Sequence, residues 1–393
     1  MPTTRLKPYQ GPAFLSGGFR PFFLLGAFYS GLSILLWLPI FYGKLEMSTL
    51  FSPVDWHIHE LYFGFLPAVI TGFLFTAVPN WTGRLPIRGM PLAWLVLLWV
   101  TGRIAISFSV LIGWKAAMII DVAFLSAIVT VTAREIMAGS NWRNLKVLAP
   151  LTILLLANIG FHLEAHYNGV SDISRRLATL AVITLIMLIG GRIIPSFTRN
   201  WLARENPGRM PIQFAKLDMI AIAVSVIAMA DWVIAPQSSP AAPLLITAAV
   251  FQIVRLARWA GYRTIGEPLV TVLHISYLFI PVGFALIALS IAAPGSFSQV
   301  AGVHALSVGA IGGMTLSVMV RASLGHMGQR LHAGPMIVTM FAAVFLAAIA
   351  RIMLALDFGP YDLLLHLAGL GWLMAFVGFS VRFAPSLLRA RAT

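Results

Sequence analysis

The sequence predicts an all-α, polytopic membrane protein, and three observations carry that expectation. Mean hydropathy is +0.89, with 59% hydrophobic and only 10% charged residues, where a soluble domain carries about a quarter charged residues. Apolar runs of about 20 residues, long enough to cross the hydrocarbon core, recur from end to end. Basic residues gather on alternate connections between those runs.

Taken in order, the apolar runs predict about twelve spans, at 19–42, 58–79, 90–112, 114–133, 146–167, 176–195, 214–235, 241–259, 268–292, 299–320, 335–356 and 361–384. Every connection is short, so the whole chain, 1–393, reads as one transmembrane domain. The first segment, "MPTTRLKPYQGPAFLSGGFRP", has no apolar core with a small-residue cleavage site, so the first span is expected to stay as an anchor. No cysteine is present, which excludes disulfides, thiolate metal sites and covalently attached c-type haem. A metal would have to rest on nitrogen, oxygen or methionine sulfur.

The net charge of +14 is distributed for a bilayer, with no sign of a nucleic-acid partner. One side carries Arg5, Lys7, Arg20, Arg84, Arg88, Arg134, Arg143, Lys146, the stretch from Arg192 to Lys216, Arg255, Arg258, Arg263, Arg321, Arg330, Arg382, Arg389 and Arg391. The other shows Lys44, Lys115, Arg175 and Arg176. The positive-inside rule then puts both termini in the cytoplasm.

The inner ends of spans 2, 6 and 10 look alike: "AVPNWTGRLPIRGMP", "IIPSFTRNWLARENPGRMP" and "VMVRASLGHMGQRLHAGP". Each leads into a proline, Pro91, Pro211 or Pro335, that opens the next span. The pattern suggests three diverged four-helix units, 19–137, 145–260 and 268–385, an architecture like that of haem–copper oxidases. The competing explanation is convergence, since proline and arginine both favour cytoplasmic helix starts.

Topology sorts the nine histidines. His57, His59, His162, His166, His304 and His366 all fall near the periplasmic ends of their spans. Ionisable groups at membrane depth are costly and usually face a bundle interior, a cavity or a ligand. His57 and His59 are two residues apart, roughly 200° around a helix, so a regular helix presents them to different sites. His166 and His366 read best as headgroup residues, and His162 fits either reading. His57, His59 and His304 flank small-residue helices suited to packing around a cofactor, with Glu60 placed to fix an imidazole tautomer or handle a proton. His274 is a ligand or a packed, hydrogen-bonded residue; His326 and His332 lie towards the cytoplasm. Arg103 and Arg351 sit in the outer thirds of spans 3 and 11, where each needs an anionic partner. Asp121 is one candidate for that role and haem propionates are another.

Six stretches resemble the NnrS family: "GFRPFFLLG", "WHIHELYFGF", "TGFLFTAVPNWTGR", "GGRIIPSFTRNW", "PLVTVLHISY" and "HALSVGAIGGMTLSVMVRASLGHMGQR". These are bacterial inner-membrane proteins associated with nitric oxide metabolism and described as containing haem and copper. The resemblance implies a role in denitrification or nitrosative stress, with non-covalent b-type haem and copper as cofactors. It places the family's histidine motifs on His57, His59 with Glu60, His162, His274, His304 and His326. His304 and His326 stand 22 residues apart on one helix, about 33 Å of rise, so they serve different sites. Spans 6 and 7 hold none of the histidines that an oxidase-type binuclear centre would need there.

The expected function is thus a haem- and copper-binding membrane protein that binds nitric oxide or exchanges electrons with it, supplied by quinol or a periplasmic donor. In that reading His59 and His304 are axial imidazoles, and His57, Glu60 and His162 form a nearby copper or proton-handling site. Glu60 is the catalytic candidate, Arg103 and Arg351 hold propionates, and His274 and His326 belong to a second, inner cofactor site. The alternatives are a proton-coupled transporter using the same groups as a relay, and a haem-based sensor without turnover.

Overall fold

The computed structural model describes residues 9–390, which form helices and turns and no strand. Twelve long helices carry the chain: α1 (Phe19–Phe41), α2 (Pro53–Thr82), α3 (Met90–Ser107), α4 (Trp114–Ala138), α5 (Leu148–Asn168) and α6 (Asp172–Glu205), followed by α7 (Lys216–Ile234), α8 (Ala241–Ala257), α9 (Pro268–Ala292), α10 (Gln299–His326), α11 (Pro335–Ala355) and α12 (Tyr361–Leu388). Eleven are long and apolar enough to cross a bilayer, and α8, at 17 residues, is shorter. The chain is an all-α polytopic membrane protein.

Two helices start or stop where hydropathy alone does not place them. α2 begins at Pro53 because Ser52 caps it, accepting from the Asp55 backbone N–H at 3.1 Å, with proline at the first helical position. His57 and His59 therefore lie within regular helix. α6 runs on through Pro195 to Glu205, well past its apolar stretch, so hydropathy marks only its membrane-embedded part.

Neighbours in sequence pack in space, and α1 also packs along α12, joining the two ends of the chain. Trp372 Nε1 donates to Ser30 Oγ at 2.8 Å across that contact. At the arginine-rich face the buried Arg20 donates to the carbonyls of Leu387 (3.0 Å) and Arg389 (2.7 Å), which the end of a helix leaves unpaired. The most enclosed helices are α2, α6 and α10, with 78%, 61% and 72% of their apolar stretches buried against 33% in α3 and α4. Backbones approach closely where α9 crosses α10: a Cβ at Gly302 would stand 2.7 Å from the Gly283 carbonyl oxygen.

α2 and α10 share a further feature. Each contains a π-helical segment, Glu60–Phe65 and Ala305–Gly312, and each segment begins directly after a histidine, His59 or His304. Such turns free backbone carbonyls and re-aim side chains, and they recur at functional sites. The Gly64 carbonyl accepts from Trp99 Nε1 at 2.8 Å.

Candidate functional site

The helical angle between His57 and His59 divides them as expected, one to each side of α2. His59 points into a buried polar cluster built from five consecutive helices. His59 and Glu60 come from α2, Tyr29 from α1, Arg103 from α3, Asp121 from α4, and Asn158 and His162 from α5. Phe51, Phe63 and Phe161 close around the imidazole, with ring centroids 4.9–5.3 Å away.

Arg103 is the electrostatic centre of this cluster. Its Nη1 donates to Glu60 Oε2 at 2.6 Å and its Nη2 to Asp121 Oδ1, while Tyr29 Oη donates to Glu60 Oε2. A Cβ at position 64 would stand 2.7 Å from Arg103 Nη1 and 2.8 Å from Glu60 Oε2, so any larger residue would displace this ion pair. Asn158 Nδ2 donates to Asp121 Oδ2 at 2.9 Å, and His162 Nε2 lies 3.2 Å from the same oxygen.

His59 is surrounded by acceptors. Its Nδ1 faces Glu60 Oε1 at 3.2 Å, and its Nε2 faces both Asn158 Oδ1 and Asp121 Oδ2 at 3.2 Å. A neutral imidazole has one proton to donate, so Nδ1–H to Glu60 leaves a lone pair aimed at oxygens. Two carboxylates and one guanidinium also leave the cluster one negative charge over, which is costly in a buried site. A proton on His59 or a cation between the ligands resolves both problems. His59, Asp121 and His162 each offer a ligand atom, all within 4.8 Å of one another, and are the metal-type cluster found among the described residues. Two imidazoles with a carboxylate suit copper, zinc or iron, and Glu60 on Nδ1 is the outer partner that holds a ligating imidazole in its tautomer.

His57 faces the opposite way, into a cavity of about 320 Å³ between α1, α2, α6, α10, α11 and α12. His304 lines the same cavity from α10, among Ile34, Leu61, Phe65 and Trp372. Trp37 stacks on the His57 ring at 4.2 Å, and His57 Nδ1 is buried without a hydrogen-bond partner. Arg351 donates from Nη2 to His304 Nε2 at 2.7 Å. Among the described residues it has no carboxylate partner within salt-bridge distance, whereas Arg175 at the rim is paired with Asp172. Two imidazoles, apolar walls and a guanidinium without a carboxylate partner are the groups a porphyrin carrying a carboxylate uses, provided Arg351 turns from His304 Nε2 to that carboxylate and frees the imidazole lone pair. The volume falls within the range of about 300–1,000 Å³ usual for small-molecule sites.

The remaining sequence candidates separate clearly. His59 and His304 line different sites. Arg103 is paired with Glu60 and Asp121 through its two terminal nitrogens, with Nε unpartnered, and Arg351 is left facing the cavity. His274 is buried towards the arginine-rich face, with Nε2 2.8 Å from Thr198 Oγ1 and Nδ1 unpartnered. His326 is exposed and packs on Phe19 at 5.1 Å. His166 stacks on Trp114 and His366 on Tyr42. The sequence reading did not single out Asn158 or Tyr29, and took Asp121 only as a partner for arginine. The available signal was a lone polar residue in an apolar run, with Asn158 one helical turn from His162 on the same face.

This fold and these sites define a multi-pass helical membrane protein with two buried histidine centres on its arginine-poor half. The sequence model of one family, described as NnrS protein, matches residues 13–391. The chain belongs to the NnrS family, which fits a membrane protein connected with nitric oxide. None of the curated proteins matches it.

Proposed function

We propose that this protein binds haem and copper in the bacterial inner membrane and acts on nitric oxide there, in denitrification or nitrosative stress. The observation that carries this reading is the division of histidines across α2, with His57 and His304 on an apolar cavity and His59 and His162 on Asp121. His57 and His304 would hold the haem iron, and Arg351 would hold a propionate. His59, Asp121 and His162 would hold copper, with Glu60 and Arg103 fixing the imidazole and balancing charge. Haem when bound supplies an iron that ligates or exchanges an electron with a small diatomic molecule. The chain's own part is to exclude bulk water with apolar walls and to keep Glu60 and Tyr29 hydrogen-bonded beside the second centre. An apolar diatomic dissolves in the hydrocarbon core, so a largely apolar cavity within the spans is a suitable receiver. Quinol or a periplasmic carrier is the proposed electron source.

The test is metal and pyridine-haemochrome analysis of purified protein, followed by absorption spectra with and without nitric oxide under anaerobic conditions. A haem absorption band that moves on adding nitric oxide is expected. A colourless, metal-free preparation that still moves a solute would overturn the proposal in favour of proton-coupled transport. Bound haem that never consumes nitric oxide would make the protein a sensor.

A further inference from the structure

A second large cavity, about 930 Å³, opens at the arginine-rich face, far along the helices from both histidine centres. It lies between the inner ends of α6, α10 and α12 and the start of α11. Arg204, Arg330 and Arg382 line it, and His332 joins them from the α10–α11 loop. Among the described residues, no ion pair and no side-chain hydrogen bond involves these arginines; Arg382 rests over the Phe383 ring at 5.1 Å. The same cavity has an apolar wall that includes Leu324, Leu331, Met336 and Ile337. Gln329 also lines it, donating from Nε2 to Ser386 Oγ at 2.7 Å and leaving its buried Oε1 without a donor.

We infer that this cavity is a binding site for an anionic phospholipid of the phosphatidylglycerol type. Arginines that merely obey the positive-inside rule would spread over the loops and snorkel into water. Here three of them line one hollow that also offers an apolar wall. That combination matches a lipid: guanidinium groups for the phosphate, leucine, isoleucine and methionine for the upper acyl chain. The glycerol headgroup carries hydroxyls, and one of these supplies the donor that Gln329 Oε1 lacks. A free phosphate would satisfy the arginines and leave the apolar wall unexplained.

The experiment uses full-length protein in a neutral detergent. It is offered phosphatidylglycerol, phosphatidylcholine with the same acyl chains, or inorganic phosphate, and bound molecules are counted by native mass spectrometry. The site variant carries Arg204→Gln, Arg330→Gln and Arg382→Gln. A charge-matched control carries Arg143→Gln, Arg209→Gln and Lys216→Gln, all exposed on the same face and outside the cavity. Retention of phosphatidylglycerol over phosphatidylcholine is expected in wild type and control, and in the site variant it should weaken roughly fivefold per arginine removed. Because the triple variant risks misfolding, Arg330→Gln alone, in an exposed loop, is compared with Arg330→Lys, which should restore most of the retention. Equal weakening in site and control variants would overturn the inference, because diffuse charge would then explain it. Inorganic phosphate that binds as tightly and displaces the lipid would overturn it too, by making the ligand a soluble anion.

Discussion

At the scale of the residue, Arg103 and His59 decide what the polar cluster is. Arg103 pairs with two buried carboxylates and offsets one of their two charges, so Arg103→Leu leaves Glu60 and Asp121 without their counter-charge. Such a loss costs about 3–5 kcal/mol, and should appear as a lowered unfolding temperature of the detergent-solubilised protein, read by loss of helical circular dichroism. Unchanged stability would mean that water reaches these groups. At His59, a proton and a metal ion compete for Nε2, because both answer the same surplus of acceptor oxygens. Copper affinity should therefore fall as pH is lowered, and uptake of the ion should release a proton measurable in weakly buffered solution. Much at this scale was legible beforehand. The two-residue spacing of His57 and His59 already separates them, and Asp121 was named as a candidate partner for Arg103 or Arg351. The pairing of His59 with His162, and of His57 with His304, was not legible, because it depends on which faces α5 and α10 present to α2. Nothing in a single sequence fixes that rotation.

At the scale of the element, glycines and helix ends set the geometry. Arg255 is fully buried and donates to Asp218 Oδ1 (3.0 Å), Tyr277 Oη (2.6 Å) and the Met187 carbonyl (3.1 Å), tying α6 to α7, α8 and α9. A Cβ at Gly191 would stand 1.9 Å from its Nη2, whereas one at the adjacent Gly190 meets nothing closer than 3.6 Å. Gly191→Ala should thus destabilise by about 1–3 kcal/mol or more, with Gly190→Ala nearly neutral in the same denaturation assay. The ends of α1 and α12 are latched at the opposite face, where Tyr42 Oη donates to Asp362 Oδ1 at 2.6 Å. That hydrogen bond to a carboxylate pushes the phenol up from 10.0 to about 12. A raised folded-state value means the contact favours the folded form below the unfolded value, and its contribution is lost as pH rises from about 10 through 12. Ultraviolet titration should show one tyrosine ionising late, and Asp362→Asn should return it towards the ordinary range. The helices themselves were legible as apolar runs. The π segments were not, since "ELYFGF" and "ALSVGAIG" carry an ordinary helical pattern and the extra residue per turn is imposed by packing.

At the scale of the whole molecule, the chain is a bundle with α2, α6 and α10 enclosed by the other helices. The proposed three four-helix units would make these three equivalent; α2 and α10 share the histidine-then-π arrangement, and α6 is α-helical throughout. The two proposed cofactor centres both lie on the arginine-poor half, and α2 stands between them with one histidine turned to each. Everything functional in this account follows from that division, so the direct test compares His57→Ala with His59→Ala for haem and copper content per chain. His57→Ala is expected to lose or shift the haem absorption while keeping copper, and His59→Ala to lose copper while keeping the haem band. Loss of the same group in both variants, or of neither, would contradict it.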